Sequence, residues 1–146
     1  MKKQVLFLAA MMCMMHAVST FARDRIITVE QLPAAAKTFV NDTFSGHSIS
    51  YAKVETDFLK KTYEVRLDNG TKIEFDKNGT FDKLDCGINA VPAKLIPATI
   101  ANYVKTNYPK TKITKIDKER YGYEVELSND LDLKFNHEGV LIDIDD

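Results

Sequence analysis

The chain has no tryptophan, only six glycines and four prolines in 146 residues, three histidines and two cysteines. So little Gly and Pro, beside 45% apolar residues, excludes a disordered or low-complexity chain. Two cysteines exclude a disulfide-stapled scaffold. The absence of Cys-x-x-Cys and His-x-x-x-His spacings excludes the usual zinc sites. No glycine-rich phosphate loop is present. Neither sign of charge dominates, with 20 basic and 21 acidic side chains, so no basic footprint for nucleic acid is offered. The length fits one domain.

One long apolar run is there, and it lies at the amino end. Lys2 and Lys3 precede an apolar stretch from Val5 to Val18, broken only by His16, and Thr20-Phe21-Ala22 follows with small residues where a signal peptidase reads. This order predicts a secretory leader over residues 1–22, with a single mature domain over 23–146 in the periplasm or medium. The stretch is shorter than the ~20 residues that cross a bilayer, so a spanning anchor is the poorer reading. All five Met and Cys13 fall in the leader. A lipoprotein acylated at Cys13 is the minor alternative, because Met12 fits badly where a lipobox needs a small residue. Cleavage removes Lys2 and Lys3 and no carboxylate, so the net charge of −1 becomes −3. It leaves Cys86 alone, with no partner for an internal disulfide.

The mature sequence resembles itself. Leu32, Ala36, Phe39, Val40 and Phe44 follow the same spacing as Ile96, Ile100, Tyr103, Val104 and Tyr108, which is one face of an α-helix. Pro33 and Pro97 stand at the start of each pattern, in the first turn, where a missing N–H costs nothing. Gly46 is expected to close the first helix in the left-handed conformation, and Pro109 to stop the second. The match runs on at an offset of 64 residues through Ile49 and Ile113, then changes to 60: Tyr63-Glu64-Val65-Arg66-Leu67 aligns with Tyr123-Glu124-Val125-Glu126-Leu127, and Ile73-Glu74-Phe75 with Leu133-Lys134-Phe135. Four extra residues therefore sit near Asp57–Lys60 in the first copy.

Period-two alternation marks strands wet on one side. Tyr63, Val65, Leu67, Ile73 and Phe75 are expected inward, as are Tyr121, Tyr123, Val125, Leu127, Leu131, Leu133 and Phe135. Asp68-Asn69-Gly70 and Lys77-Asn78-Gly79 read as hairpin turns with Asn and Gly at positive φ. The last strand of each copy is less regular. The expected fold is α+β: repeat one over 28–86 and repeat two over 91–146, each a helix plus four strands, with up to eight antiparallel strands and both helices on one face. Residues 86–91 would connect them.

These motifs in this order, Leu/Ile-Pro, an amphipathic helix, Tyr-Glu-Val-x-Leu, an Asn-Gly turn and Phe-Asp/Asn-x-x-Gly, resemble the beta-lactamase-inhibitor-like, PepSY-like proteins exported by Bacteroides-type bacteria. The resemblance covers about Thr28 to Asp145. It implies a concave sheet that grips a partner, as in the inhibitor that gives the family its name. That inhibitor carries a disulfide in each repeat, whereas only Cys86 is available here, and its enzyme-inserting residues have no matched positions in this chain.

The chemistry-bearing groups are thin. His47 and His137 read as exposed turn residues, and Cys86 as a small buried apolar group beside an activating-averse carboxylate, Asp85. Asp130-Leu131-Asp132 and the acidic tail lack the ligand number of a calcium loop. No cofactor and no metal site are implied. Glu64, Glu74, Glu124 and Glu126 stand among Arg66, Lys72 and Lys134, which reads as cross-strand ion pairs. The expected function is non-enzymatic binding of an unknown protein or peptide through the open sheet face and hairpin loops. The candidate residues are Tyr51, Asp57, Phe58, Leu59, Glu64, Arg66, Lys72, Glu74, Glu124 and Lys134. Nucleic acid and membrane insertion of the mature chain are not expected. A carboxylate-based enzyme and a self-associating structural module are the alternatives.

Overall fold

The computed structural model describes residues 23–146; the leader, including Cys13, lies outside the described residues. Its strands are β1 (Arg23–Ile27), β2 (Ile49–Asp57), β3 (Lys60–Leu67), β4 (Lys72–Phe75), β5 (Phe81–Asp85), β6 (Ile113–Glu119), β7 (Gly122–Leu127), β8 (Asp132–Asn136) and β9 (Leu141–Asp145). Helix α1 (Ala34–Thr43) lies between β1 and β2, and α2 (Ala98–Asn107) between β5 and β6. The strands form one antiparallel sheet in sequence order, β1 to β9. The sheet is continuous where the halves meet, because Leu84 of β5 pairs with Ile116 of β6. Ninth to the expected eight is β1, whose Arg-Asp-Arg start masks it: only Ile27 of its five residues is buried.

Cross-strand partners share a face of a sheet. The register therefore joins Ala52, Val65, Ile73, Leu84, Ile116, Val125 and Leu133 into one transverse row, and all are buried. Both helices pack on the face that carries this row. Phe39 of α1 meets Phe75 edge-on at 5.6 Å and stacks on Phe81 at 5.1 Å, while Tyr103 of α2 meets Phe135 edge-on at 5.5 Å. Ala36 and Val40 of α1, and Ile100 and Val104 of α2, complete the layer. Each buried Leu, Ile, Val or Phe contributes about 1.5–3 kcal/mol by leaving water, so this row and its helix contacts dominate the stability.

Pro33 and Pro97 stand at the N-cap positions, one residue ahead of the first turn where the pattern placed them. Gly46 does not adopt a left-handed conformation. Helix α1 ends at Phe44 (φ −129°) and α2 at Tyr108 (φ −133°), each aromatic turning back into the core, so no glycine cap is needed. In the two Asn-Gly turns only the glycines, Gly70 and Gly79, take positive φ. Tyr121 is also not inward. It lies in the β6–β7 turn and donates its hydroxyl to Glu124 Oε2 at 2.7 Å on the opposite face. The next residue is Gly122 (φ 147°), where any Cβ would run into the backbone of Phe135 and Asn136 on β8.

The four extra residues are not a floppy loop. β2 and β3 have nine and eight residues, β6 and β7 seven and six, so the insertion lengthens one hairpin by two residue pairs. Irregularity in the last strands is a bulge in each: register shifts at Glu74/Phe75 against β5 and at Lys134/Phe135 against β9. Truncating Phe135→Ala, which is completely buried under Tyr103, is expected to cost about 3–5 kcal/mol in urea unfolding, whereas Phe58→Ala, which is exposed, should change stability by less than about 0.5 kcal/mol.

Candidate functional site

The face away from the helices carries two transverse rows of charge. Strand register places Lys53, Glu64, Glu74, Lys83, Asp117, Glu124, Lys134 and Asp143 in the first. The second runs Tyr51, Arg66, Lys72, Asp85, Lys115, Glu126, Asp132 and Asp145. Seven of the expected candidates, Tyr51, Glu64, Arg66, Lys72, Glu74, Glu124 and Lys134, are thus brought onto one surface. Asp57, Phe58 and Leu59 are not. They form the β2–β3 hairpin tip, four residues beyond Lys53, or about 14 Å along the strand.

Local pairing explains how so many charges coexist. Glu64 and Glu74 are direct cross-strand neighbours of like charge, which is unfavourable by itself. Lys53 lies 3.4 Å from Glu64, Tyr51 donates its hydroxyl to Glu64 Oε1 at 2.8 Å, and Lys72 lies 3.5 Å from Glu74. Glu64 is consequently buried at 8% exposure, not wet as its alternation suggested. The hydrogen bond to Glu55 at 2.6 Å holds the Lys53 ammonium well above the usual lysine range against a burial cost. Across the β5–β6 joint, Lys83 bridges to Asp117 at 3.3 Å and reaches Glu119 at 3.8 Å. Burial pulls the Lys83 pKa down, but Asp117 and Glu119 outweigh it and the net direction is up. The same joint raises Asp117, chiefly through burial, with Lys83 opposing.

Farther on, Lys115 binds Glu126 at 2.6 Å, and Lys134 binds Asp143 at 3.2 Å and also Asp145. Acid is in excess there. Asp132 is raised by burial and then by the nearby Glu126 and Glu124. Between the halves, Lys72, Glu74, Lys83, Asp85, Lys115 and Asp117 rim a depression of about 230 Å³. Of the four carboxylates that alternation marked, only Glu74 borders it. Lys83, Asp85, Lys115 and Asp117 alternate with buried Leu84 and Ile116 in the sequence. That period was the signal for them, obscured by the bulged end of each half.

The family model described as "Putative beta-lactamase-inhibitor-like, PepSY-like" matches residues 61–143. The chain belongs to this PepSY-like family. Among solved structures it is similar to a "putative calcium-regulated periplasmic protein" of Bacteroides thetaiotaomicron, at 47% identity and a TM-score of 0.81, over 84% of this chain and 97% of that one. A "putative periplasmic protein" of Bacteroides vulgatus is 43% identical, with a TM-score of 0.80 over 84% of this chain and 97% of that one. Another from the same organism, of unknown function, is 34% identical, with a TM-score of 0.82 over 85% of this chain and 100% of that one. No curated protein matches. No helix among the described residues is long and apolar enough to cross a membrane.

Off the open face, this PepSY-like chain brings together two groups that sequence spacing kept apart. His47 and Cys86 both line a hollow of about 360 Å³, with Phe44, Asn69, Thr71, Asn89 and Ala90. The imidazole is tied to Asp68 through Nδ1 at 2.8 Å and faces Asn69 at 3.3 Å. Cys86 is buried, and burial pushes its thiol up to about 11, with Asp85 adding to the rise. A thiol so raised is no nucleophile at neutral pH. His137 lies in the β8–β9 turn and donates from Nε2 to the Arg120 carbonyl at 3.0 Å.

Two outcomes are expected. Native Cys86 should resist alkylation by iodoacetamide at pH 8 and react at once in denaturant; equal rates in both would show an accessible thiolate. Asp68, whose carboxylate accepts from the Ser48 N–H and hydroxyl and from His47, is depressed from 3.8 to about 2. A depressed acid adds stability that is complete above its unfolded pKa and is lost as pH falls through the folded one. Asp68→Asn should therefore flatten the stability profile between about pH 4 and pH 2, and only there, in acid-unfolding scans.

Proposed function

We propose that the chain is an exported, periplasmic, non-enzymatic binding protein whose open sheet face recognises a protein or peptide partner. In this reading residues 1–22 are a cleaved leader, and the mature domain is two tandem helix-plus-four-strand units, 28–86 and 91–146. The reading is supported by the family's inhibitor-like description and by the periplasmic neighbours. The observation that carries it is the uncovered double row of charge spanning β2 to β9.

Such a face suits a polar, charge-patterned partner. Lys and carboxylate groups already paired on the sheet can exchange partners without leaving a charge stranded, and a mismatched pattern is penalised. The acid excess of β7 to β9 calls for basic side chains at that end of the partner. Arg66, whose guanidinium among the described residues reaches only the Gly70 carbonyl, at 3.1 Å, calls for an acidic one near the other. The calcium regulation named for the B. thetaiotaomicron protein has no ready-made counterpart here: no three His, Cys, Asp or Glu side chains among the described residues gather as a metal site.

The central depression gives the test. Lys83→Glu with Lys115→Glu reverses two charges on the face without touching the core. Pull-down from periplasmic extract should lose the partner by about tenfold or more relative to wild type. Equal recovery by both would reject the face. A wild-type dimer in light scattering that the double variant turns into a monomer would transfer the role to a second copy of the chain.

A further inference from the structure

A two-residue hairpin turn ordinarily takes Asn, Asp or Gly. The β2–β3 turn is Phe58-Leu59, and the two side chains are 81% and 91% exposed. The turn itself is held by Asp57, whose Oδ1 accepts from the Phe58 N–H at 2.7 Å. Neither apolar side chain is needed to make the bend. The two additional residue pairs of this hairpin carry the tip about 7 Å farther out than the β6–β7 hairpin would reach.

Cations stand directly behind the tip. Lys60 opposes Asp57, and Arg23, Thr56 and Lys61 form the next transverse row. Arg25 lies two residues farther back, opposite Val54. Arg23, Arg25 and Lys61 line a hollow of about 680 Å³ with Asp24, Val54 and Thr56. None of these three cations, nor Lys60, is in an ion pair among the described residues. Against Arg23, Arg25, Lys53, Lys60 and Lys61 stand three carboxylates, with Asp24 and Glu55 sharing Lys53 and Asp57 accepting from the turn. This end of the molecule is therefore basic, and its tip is apolar.

We propose that this hairpin end docks on an anionic bilayer surface, with Phe58 and Leu59 entering the acyl boundary and the cations at headgroup level. Spacing supports it. Lys60, Lys61 and Arg23 lie one to two residues, about 3–7 Å, behind the tip, which matches the depth of the polar layer on one side of a bilayer. The chain's own layout supports it as well. Arg23, the first residue of the mature chain in that reading, stands beside this same tip, opposite Thr56. Cleavage after Ala22 would add an α-ammonium there. The contact is interfacial, not spanning. It is independent of the open sheet face, whose charge rows begin about 14 Å away.

The absence of tryptophan makes a clean reporter available. Phe58→Trp, in the protein as recovered from the periplasm, places a single indole at the tip. Its emission should shift to the blue with mixed phosphatidylcholine–phosphatidylglycerol vesicles and stay unchanged with phosphatidylcholine alone. In the otherwise wild-type protein, Phe58→Ser with Leu59→Ser should abolish sedimentation with the mixed vesicles. Arg23→Gln with Arg25→Gln should weaken it about fivefold per charge removed. Circular dichroism should be unchanged in both, because all four side chains are exposed. No shift and no sedimentation with anionic vesicles would overturn the proposal. So would equal binding to neutral ones, or a blue shift in lipid-free periplasmic extract that vesicles do not compete away, which would assign the tip to a protein.

Discussion

Among the described residues, one sheet nine strands wide has two short α-helices to cover it. At about 4.8 Å per strand the sheet spans roughly 40 Å, and a ten-residue helix is about 15 Å long and 10–12 Å across. Two such helices shield the middle of one face and nothing of the other. The strands under the helices must therefore alternate, with Val65, Ile73, Leu84, Ile116, Val125 and Leu133 fully inside, and the residues between them must be at home in water. The charge rows are the other side of the same alternation that builds the core.

That constraint also explains the character of the open face. Exposed ion pairs such as Lys134–Asp143 or Lys72–Glu74 are worth about 0–1 kcal/mol each, too little to account for stability. They keep a broad, pleated surface soluble and set a pattern that few partners can match. The family relation fits this architecture. What the similar periplasmic structures share with the chain is the fold.

Much of this was legible in the order of residues. The helix faces were plain because Ala36 and Val40, like Ile100 and Val104, recur at helical spacing, and the inner strands were plain because Val65, Leu67, Ile73 and Phe75 alternate. Four things were hidden for physical reasons. β1 buries one side chain, so it has no apolar period to read. Tyr121 leaves the inner face because it stands in the turn ahead of β7, outside the strand whose alternation it seemed to extend. The meeting of Lys83 with Asp117 depends on the register between β5 and β6, a tertiary pairing across a 27-residue gap that no local pattern encodes. Burial of Glu64 was hidden likewise, since it requires Lys53 and the Tyr51 hydroxyl to converge on it from the adjacent strand.

The meander has a kinetic side. Each strand bonds only to the strands before and after it in the chain, so most pairings close short loops and few wait on distant segments. Loop-closure entropy is thus met in small instalments, and folding topologies of this local kind are among the faster ones for sheet proteins. A chain threaded through a pore amino-end first could lay down its ribbons one after another as they emerge, with α1 seated on its strands before α2 has arrived. Vectorial delivery and structural order then run in the same direction, and no strand has to be held unpaired until the end of the sequence appears.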